Sequence, residues 1–123
     1  MAVPVDTRKL KDQANELYLK GKIKEAIGVL ETVAKTDKGD VKTIVKIGDL
    51  CKKQNDKAKA IEWYTKGATL YAAQGFLVNA ISINKIILEL DPNHKEVQEA
   101  IASLYAKKDQ NATAGPAQTG VRP

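Results

Sequence analysis

Residues 10–30 read LKDQANELYLKGKIKEAIGVL, and residues 44–64, which begin 34 positions later, read IVKIGDLCKKQNDKAKAIEWY. The two stretches share one register of small and large residues. Its pairs are Leu10/Ile44, Ala14/Gly48, Leu17/Cys51, Gly21/Asn55, Ala26/Ala60 and Leu30/Tyr64. A period of this length is typical of stacked helix pairs, because each pair must bury its apolar face against the next. The sequence therefore predicts a helical repeat array.

The register continues past Tyr64, but one interval is shortened. A third repeat is matched by Ala68, Tyr71, Gly75, Ala80, Ile87 and Pro92. Ala60 and Ala80 are only 20 residues apart, so 14 residues of the 34-residue period are missing. We therefore predict one long helix, about Lys57 to Gln74, which is shared by repeats two and three.

Apolar residues recur with helical spacing along the chain, and no strand alternation appears. We predict an all-α fold of about six antiparallel helices. Their expected bounds are Thr7–Lys20, Ile23–Lys35, Asp40–Lys53, Lys57–Gln74, Leu77–Leu90 and His94–Lys107. Helix N-caps are expected at Asp6, Asp40, Asp56 and Asn93. A positive φ after a helix is expected at Gly21, Gly39 and Gly75.

The composition changes after Lys108 and divides the chain into two parts. Residues 109–123 are polar, contain glycine and proline, and have no large aliphatic side chain apart from Val121. Such a segment buries too little apolar surface to offset its ordering entropy. We predict a helical domain over residues 1–108 and a disordered tail or linker over residues 109–123.

Charge and cysteine content restrict the class of protein. The 20 Lys and Arg residues exceed the 15 Asp and Glu residues, for a net charge of +5 and a pI near 9.3, which favours anionic partners at long range. A single cysteine, Cys51, fits a reducing compartment. Residues 1–5 lack a basic region followed by an apolar run, and no stretch approaches the ~18 apolar residues of a membrane span. We expect a cytoplasmic protein without membrane insertion.

Residues suited to catalysis or metal binding are few. The only histidine, His94, stands at a predicted helix start, where a structural role is expected. Cys51 occupies the register position of Leu17, which predicts a buried packing residue. No glycine-rich phosphate loop follows a strand. We expect no enzymatic activity, no metal site and no cofactor.

Several short strings in this register resemble the tetratricopeptide repeat (TPR) family over roughly Thr7 to Lys107. They are ANELYLKG at 14–21, EAI at 25–27, GDL at 48–50, KAIEWY at 59–64 and LELDP at 88–92. The run from Gly48 to Pro92 is similar to a TPR leader segment of bacterial multidomain proteins, in which it precedes signalling or regulatory modules. The resemblance implies a non-catalytic adaptor that binds a partner peptide or helix in a concave groove.

The family's groove is lined by the first helix of each repeat, and the resemblance transfers those positions to this chain. They are Arg8, Lys11, Asn15, Tyr18, Lys42, Val45, Asp49, Lys52 and Lys53. Five of these nine side chains are basic, so the groove is expected to be basic at its N-terminal end. We predict that it binds an acidic or carboxylate-bearing segment of another protein.

Lys11 and Asn15 also look like the opening pair of the carboxylate clamp by which chaperone-binding TPR proteins hold a peptide C-terminus. Lys46 stands where that clamp has an asparagine in the second repeat, and Glu96 and Ala100 stand where basic side chains are expected in the fourth. We therefore do not predict binding of a chaperone tail.

An alternative function is that of an accessory protein that binds nucleic acid or another polyanion, because helical repeats can follow a phosphate backbone. Against it, Asp49, Glu62, Glu96 and Glu99 interrupt any continuous basic track. We do not expect nucleic acid to be the partner.

The sixth helix lacks a predicted successor that could cover it. Its large apolar residues are Val97, Ile101, Leu104 and Tyr105. Some of these side chains are expected to pack on the fifth helix, and the others have no covering helix. We therefore predict an exposed edge that either mediates weak self-association or is buried by a following segment of a longer parent protein.

Overall fold

The computed structural model describes residues 5–114 and consists of helices joined by short turns. The helices are α1 (Thr7–Leu19), α2 (Ile23–Thr36), α3 (Val41–Lys53), α4 (Lys57–Ala73), α5 (Leu77–Leu90) and α6 (Lys95–Ala114). Residues 5–114 contain no strand. The prediction of an all-α, TPR-like array of six helices is confirmed, and the long α4 is continuous as expected. In this region no helix is both long enough and apolar enough to cross a bilayer.

The sixth helix differs from its prediction at both ends. It begins after His94, whose Nδ1 accepts a hydrogen bond from the Val97 amide at 3.3 Å. The expected cap at Asn93 is therefore wrong, because an imidazole nitrogen one residue later caps the helix. The helix then runs to Ala114, so residues 109–114 of the predicted tail are helical, while residues 115–123 lie outside the described part of the chain. The helical domain over residues 1–108 stays a prediction.

The other predicted helix starts agree with the structure. Asp6, Asp40 and Asp56 each accept a hydrogen bond from the backbone amide three residues later, at 3.2 Å in every case. A carboxylate in this position satisfies one of the unpaired amides of the first helical turn. These caps explain why α1, α3 and α4 begin where the sequence predicts.

Two of the three predicted positive-φ glycines are confirmed. Gly21 has φ 80° and Gly75 has φ 87°. Gly39 is not in the left-handed region, whereas Asn55, at the register position of Gly21, has φ 60°. Asparagine tolerates this conformation better than other residues with a Cβ. The pairing of Gly21 with Asn55 in the repeat thus reflects a shared helix-ending turn.

The chain divides into two compact units, Met1–Gly67 and Ala68–Pro123. In the first unit α1 packs on α2 and α2 packs on α3. The side chains that share its core come from every helix of the unit. The most deeply buried of them are Ala26, Val33, Ile47, Leu50, Cys51, Ala60 and Tyr64. The prediction that Cys51 is a buried packing residue is confirmed, and this burial raises the pKa of its thiol.

Two glycines allow α3 and the first part of α4 to approach closely. A Cβ built on Gly48 would lie 2.8 Å from a ring carbon of Tyr64, and one on Gly67 would lie 2.8 Å from Cγ2 of Val45. Real Cβ atoms do not approach other atoms this closely, so a side chain at either position would have to displace its neighbour. Gly67 therefore serves helix packing inside a continuous helix and does not mark a turn.

The second unit is described by itself and has α5 packed on α6. Its core cluster joins Ala80 and Ile81 to Leu104, with Tyr71, Ala72 and Leu77 packed against it. Val97 and Leu104 of the predicted exposed edge are buried, at 4% and 8% exposure. These two are therefore the members of the set that the hairpin of α5 and α6 covers, and self-association through the remaining edge stays a prediction. Ile101 is half-buried and Tyr105 is exposed.

Candidate functional site

Helices α1 and α3 lie side by side in the first unit, as three side-chain contacts show. Near the start of both helices, Lys11 Nζ is 2.7 Å from Asp40 Oδ2. Farther along, the ammonium groups of Lys46 and Lys53 lie 5.1 and 5.4 Å from the centre of the Tyr18 ring. Earlier residues of α1 thus meet earlier residues of α3, so the two helices run in the same direction. This is the relation expected of first helices in successive repeats.

A pocket of about 250 Å³ opens between these helices. We call it the α1/α3 pocket, and its lining combines apolar side chains with cationic ones. It is lined by Lys11, Ala14, Asn15, Tyr18, Leu30, Lys42, Thr43, Lys46 and Leu50. Ala14, Leu30 and Leu50 are buried and form its apolar base, whereas the lysines are exposed. The pocket therefore offers an apolar base with positive charge around its opening.

The structure brings four of the nine predicted groove residues to this pocket. They are Lys11, Asn15, Tyr18 and Lys42. Arg8 and Lys52 are exposed on the same two helices but do not line it.

Two further predicted groove residues are turned toward α4 by the packing of the unit. Val45 is half-buried and lies where a Cβ on Gly67 would meet it. Asp49 Oδ1 accepts a hydrogen bond from the Tyr64 hydroxyl at 2.5 Å. These contacts give Val45 and Asp49 a structural role, and their part in a groove stays a prediction.

Sequence reasoning did not place Lys46 among the groove residues, although it noted this lysine in the clamp comparison. Lys46 lies one helical turn after Lys42 on α3, so both ammonium groups reach the same side of the helix. This spacing of four residues was the available signal. Thr43 and Leu50 were also missed, because the repeat register does not include them, and Ala14 and Leu30 were missed because that register gave them a role in helix packing.

At the end of the pocket where α3 begins, Asp40 is the centre of a small polar network. Its Oδ1 accepts from the Thr43 amide at 3.2 Å, and its Oδ2 accepts from the Thr43 hydroxyl at 2.8 Å and pairs with Lys11. Partial burial acts to raise the pKa of the Asp40 carboxyl, but the Lys11 and Thr43 donors outweigh it and hold that pKa below its ordinary value. Asp40 is therefore ionised and fixed in place.

At the other end of the pocket the Tyr18 ring is flanked by cations. A hydrogen bond from Lys53, with the charges of Lys53 and Lys46, lowers the pKa of the Tyr18 phenol against a smaller opposing effect of burial. Cations beside an aromatic ring also gain from its quadrupole. The carboxylates described in the first unit form no salt bridge with Lys42, Lys46 or Lys53. This end is electropositive and open to an external anion.

A second cavity of about 240 Å³ lies elsewhere in the first unit, beside Gly28 and Cys51. Its charged lining residues are of both signs, Lys24 and Lys59 with Glu31 and Asp56. The opposite charges give no net preference for an anion or a cation. Within residues 5–114, His, Cys, Asp and Glu side chains form no group of three or more that could hold a metal ion.

Comparison with protein families and with curated proteins finds no match to this chain. Among solved structures, the chain is similar to the Yersinia enterocolitica type III secretion chaperone SycD in complex with a peptide of the translocator YopD. The two sequences are 20% identical, the match covers 82% of this chain and 93% of that chain, and the TM-score is 0.48.

TPR domains are also among the similar solved structures. The first TPR of Spaghetti (RPAP3) bound to an HSP90 peptide has 19% identity, coverage of 88% of this chain and 99% of that chain, and a TM-score of 0.45. The first TPR domain of human RPAP3 has 17% identity, coverage of 92% and 100%, and a TM-score of 0.46. The fold itself rests on the helices and the repeat register of this chain.

Proposed function

We propose that this protein is a non-catalytic adaptor that binds an acidic segment of another protein in the α1/α3 pocket. One observation carries the proposal: Lys42 and Lys46 line an apolar pocket, Lys53 lies beside its Tyr18 ring, and none of the three has a described carboxylate partner in the unit. Exposed lysines of this kind are available to pair with an incoming carboxylate. An apolar side chain of the same segment can then cover the base of the pocket.

The expected energetics are those of a modest, salt-sensitive interaction. A hydrogen bond to a charged group contributes about 1.5–3 kcal/mol when it is well formed, and less when it is exposed to water. Burial of one aliphatic side chain contributes about 1.5–3 kcal/mol. Part of this free energy offsets the ordering of the bound peptide. One such hydrogen bond and one such side chain together contribute about 3–6 kcal/mol before that cost, so we expect a weak affinity, in the millimolar to high-micromolar range, that falls as salt is added.

The setting of this adaptor is also a proposal. The run from Gly48 to Pro92 resembles a leader segment of bacterial multidomain proteins. On that resemblance we place the protein in the cytoplasm, in bacterial signalling or assembly. The partner is expected to be another protein, with no cofactor involved.

The test is binding of a fluorescein-labelled peptide LELELE to the wild-type protein, measured by fluorescence anisotropy. The peptides LQLQLQ and LKLKLK keep the leucines and change the charge. We expect LELELE to bind most tightly. The double variant Lys46→Glu/Lys53→Glu should bind it at least about tenfold more weakly, since two attractive charges become repulsive.

The matched control is Lys35→Glu/Lys38→Glu, which makes the same change of net charge at exposed lysines that do not line the pocket. This variant should retain most of the affinity. Equal losses in the two double variants would show that net charge alone drives binding, and would contradict a site in the pocket. Absence of LELELE binding by the wild type would reject the acidic-segment proposal.

A polyanion-binding function is the second candidate, because the same three lysines could contact phosphates. Its discriminating measurement is the anisotropy of a fluorescein-labelled oligo(dT) strand over a series of salt concentrations. Binding tighter than that of LELELE, with a steep dependence on log salt, would favour this candidate. Weak or absent binding of oligo(dT) is expected on the adaptor proposal.

A further inference from the structure

Lys11 is placed differently from the other lysines of the α1/α3 pocket. Its ammonium group already pairs with Asp40 Oδ2 at 2.7 Å, although the Lys11 side chain is 46% exposed. Lys42 and Lys46 line the same pocket without a described carboxylate partner in the unit. The chain thus supplies its own carboxylate to one lysine of the pocket and leaves the others available.

Asp40 cannot easily release Lys11 by moving its side chain. Both carboxylate oxygens are held by Thr43, one by the amide at 3.2 Å and one by the hydroxyl at 2.8 Å, and Asp40 caps α3. Only 12% of the Asp40 side chain is exposed. Because the carboxylate is fixed by the start of a helix, it stays beside Lys11 whether or not a ligand is present.

Two of the three unpaired cations, Lys46 and Lys53, lie toward the other end of the pocket, whereas Lys42 lies near the start of α3. Tyr18 follows Lys11 by seven residues on α1, a rise of about 10 Å along the helix. Lys46 and Lys53 flank its ring there. An anionic group that enters the pocket therefore meets a lysine already neutralised by Asp40 at one end and two unpaired cations at the other.

We infer that Asp40 is a specificity-determining residue of the pocket: it withdraws Lys11 from ligand binding, so that the partner's anionic group must sit at Tyr18, Lys46 and Lys53. The partner segment then presents an apolar side chain to the base formed by Ala14, Leu30 and Leu50. This inference rests on the proposed function, and it narrows the partner to a segment in which an acidic residue neighbours an apolar one.

A purely structural role for Asp40, as the cap of α3, makes a different prediction. Asparagine caps helices about as well as aspartate, so Asp40→Asn keeps the cap and removes the charge that holds Lys11. Asp6→Asn is the matched control. Asp6 caps α1 through the same 3.2 Å bond, and its replacement changes the net charge equally, but it forms no salt bridge with a lysine of the pocket.

The first measurement needs no ligand. Intact protein is treated with a limiting amount of the N-hydroxysuccinimide ester of acetic acid, and acetylation of each lysine is followed by mass spectrometry. In the wild type Lys11 should react more slowly than Lys42. In Asp40→Asn it should react at a rate close to that of Lys42, and in Asp6→Asn it should be unchanged.

The second measurement is the affinity for the LELELE peptide. Asp40→Asn should bind it about two- to fivefold more tightly than Asp6→Asn, the gain expected from one exposed charge pair. The double variant Asp40→Asn/Lys11→Gln should return to the wild-type affinity, since the released lysine is then gone. Lys46→Glu/Lys53→Glu should weaken binding in both the wild-type and the Asp40→Asn background.

The outcomes separate this inference from the proposed function. If the wild type binds LELELE and Asp40→Asn binds it no more tightly than Asp6→Asn does, Asp40 is only a helix cap and the inference is overturned. If Asp40→Asn gains affinity that Lys11→Gln does not remove, Lys11 is not the group that Asp40 withdraws, which also overturns it. If neither the wild type nor Asp40→Asn binds, both proposals fail.

Discussion

Replacement of Gly48 by alanine tests the close approach of α3 to α4. The new Cβ would lie 2.8 and 2.9 Å from two ring carbons of Tyr64 and 3.2 Å from a third. Ordinary contacts between carbon atoms are about 3.5–4.0 Å, so an overlap of about 0.7 Å must be relieved. The Tyr64 ring is fully buried, and its hydroxyl is held by Asp49, which leaves it little room to move.

Two effects of this substitution oppose each other. Overpacking of a core typically costs about 1–3 kcal/mol, whereas alanine gains about 1 kcal/mol over glycine in a helix interior. We expect Gly48→Ala to lower the free energy of unfolding by up to about 2 kcal/mol. The control is Gly28→Ala on α2, where nothing lies within 4 Å of the added Cβ. It should gain about 0.5–1 kcal/mol from helix propensity alone.

The assay is urea unfolding followed by the fluorescence of Trp63, the only tryptophan, which lies on α4 beside Tyr64. With a slope of about 2 kcal/mol per molar urea, the two variants should shift the unfolding midpoint in opposite directions and differ by up to about 1.5 M. If Gly48→Ala is as stable as Gly28→Ala, the tyrosine ring yields without cost, and the reasoning about close approach is refuted.

Two further predictions concern α4 and the cap of α3. Thr69→Pro should lower the free energy of unfolding by about 3 kcal/mol or more, because it breaks a continuous helix; a small loss of stability in urea would contradict the shared long helix. The pKa of the Asp40 carboxyl is lower in the folded protein than in the unfolded chain, where it is about 3.9. The ionised carboxyl therefore stabilises the fold in full above the unfolded pKa. This contribution is lost as the pH falls through the lower pKa of the folded protein. Unfolding midpoints of the wild type and Asp40→Asn should therefore differ at pH 6 and converge below about pH 4, whereas a difference independent of pH would contradict the pairing with Lys11.

The repeat register predicted much of the fold. A spacing of 34 residues identified the helix pairs, and carboxylates at Asp6, Asp40 and Asp56 predicted where helices begin. These features are local, since periodicity and capping depend on residues within one or two turns of each other. The shortened interval between Ala60 and Ala80 also predicted the continuous α4.

The errors fall where the sequence signal was ambiguous or absent. Asn93 and His94 are adjacent, and both carry an acceptor that could cap α6, so the choice between them depended on how the chain enters the helix. The end of α6 was set too early because a polar composition does not by itself stop a helix.

In the candidate site, too, some features were predicted from the sequence and others are known only from the structure. The sequence by itself determined which helices carry cations, and the family resemblance selected Lys11, Asn15, Tyr18 and Lys42 among them. Only the tertiary structure decided which of these charges are available. Lys11 is paired with Asp40, 29 residues away along the chain. Side-chain pairing between helices depends on distances of a few ångströms, and helical periodicity specifies the direction of a side chain but not its partner.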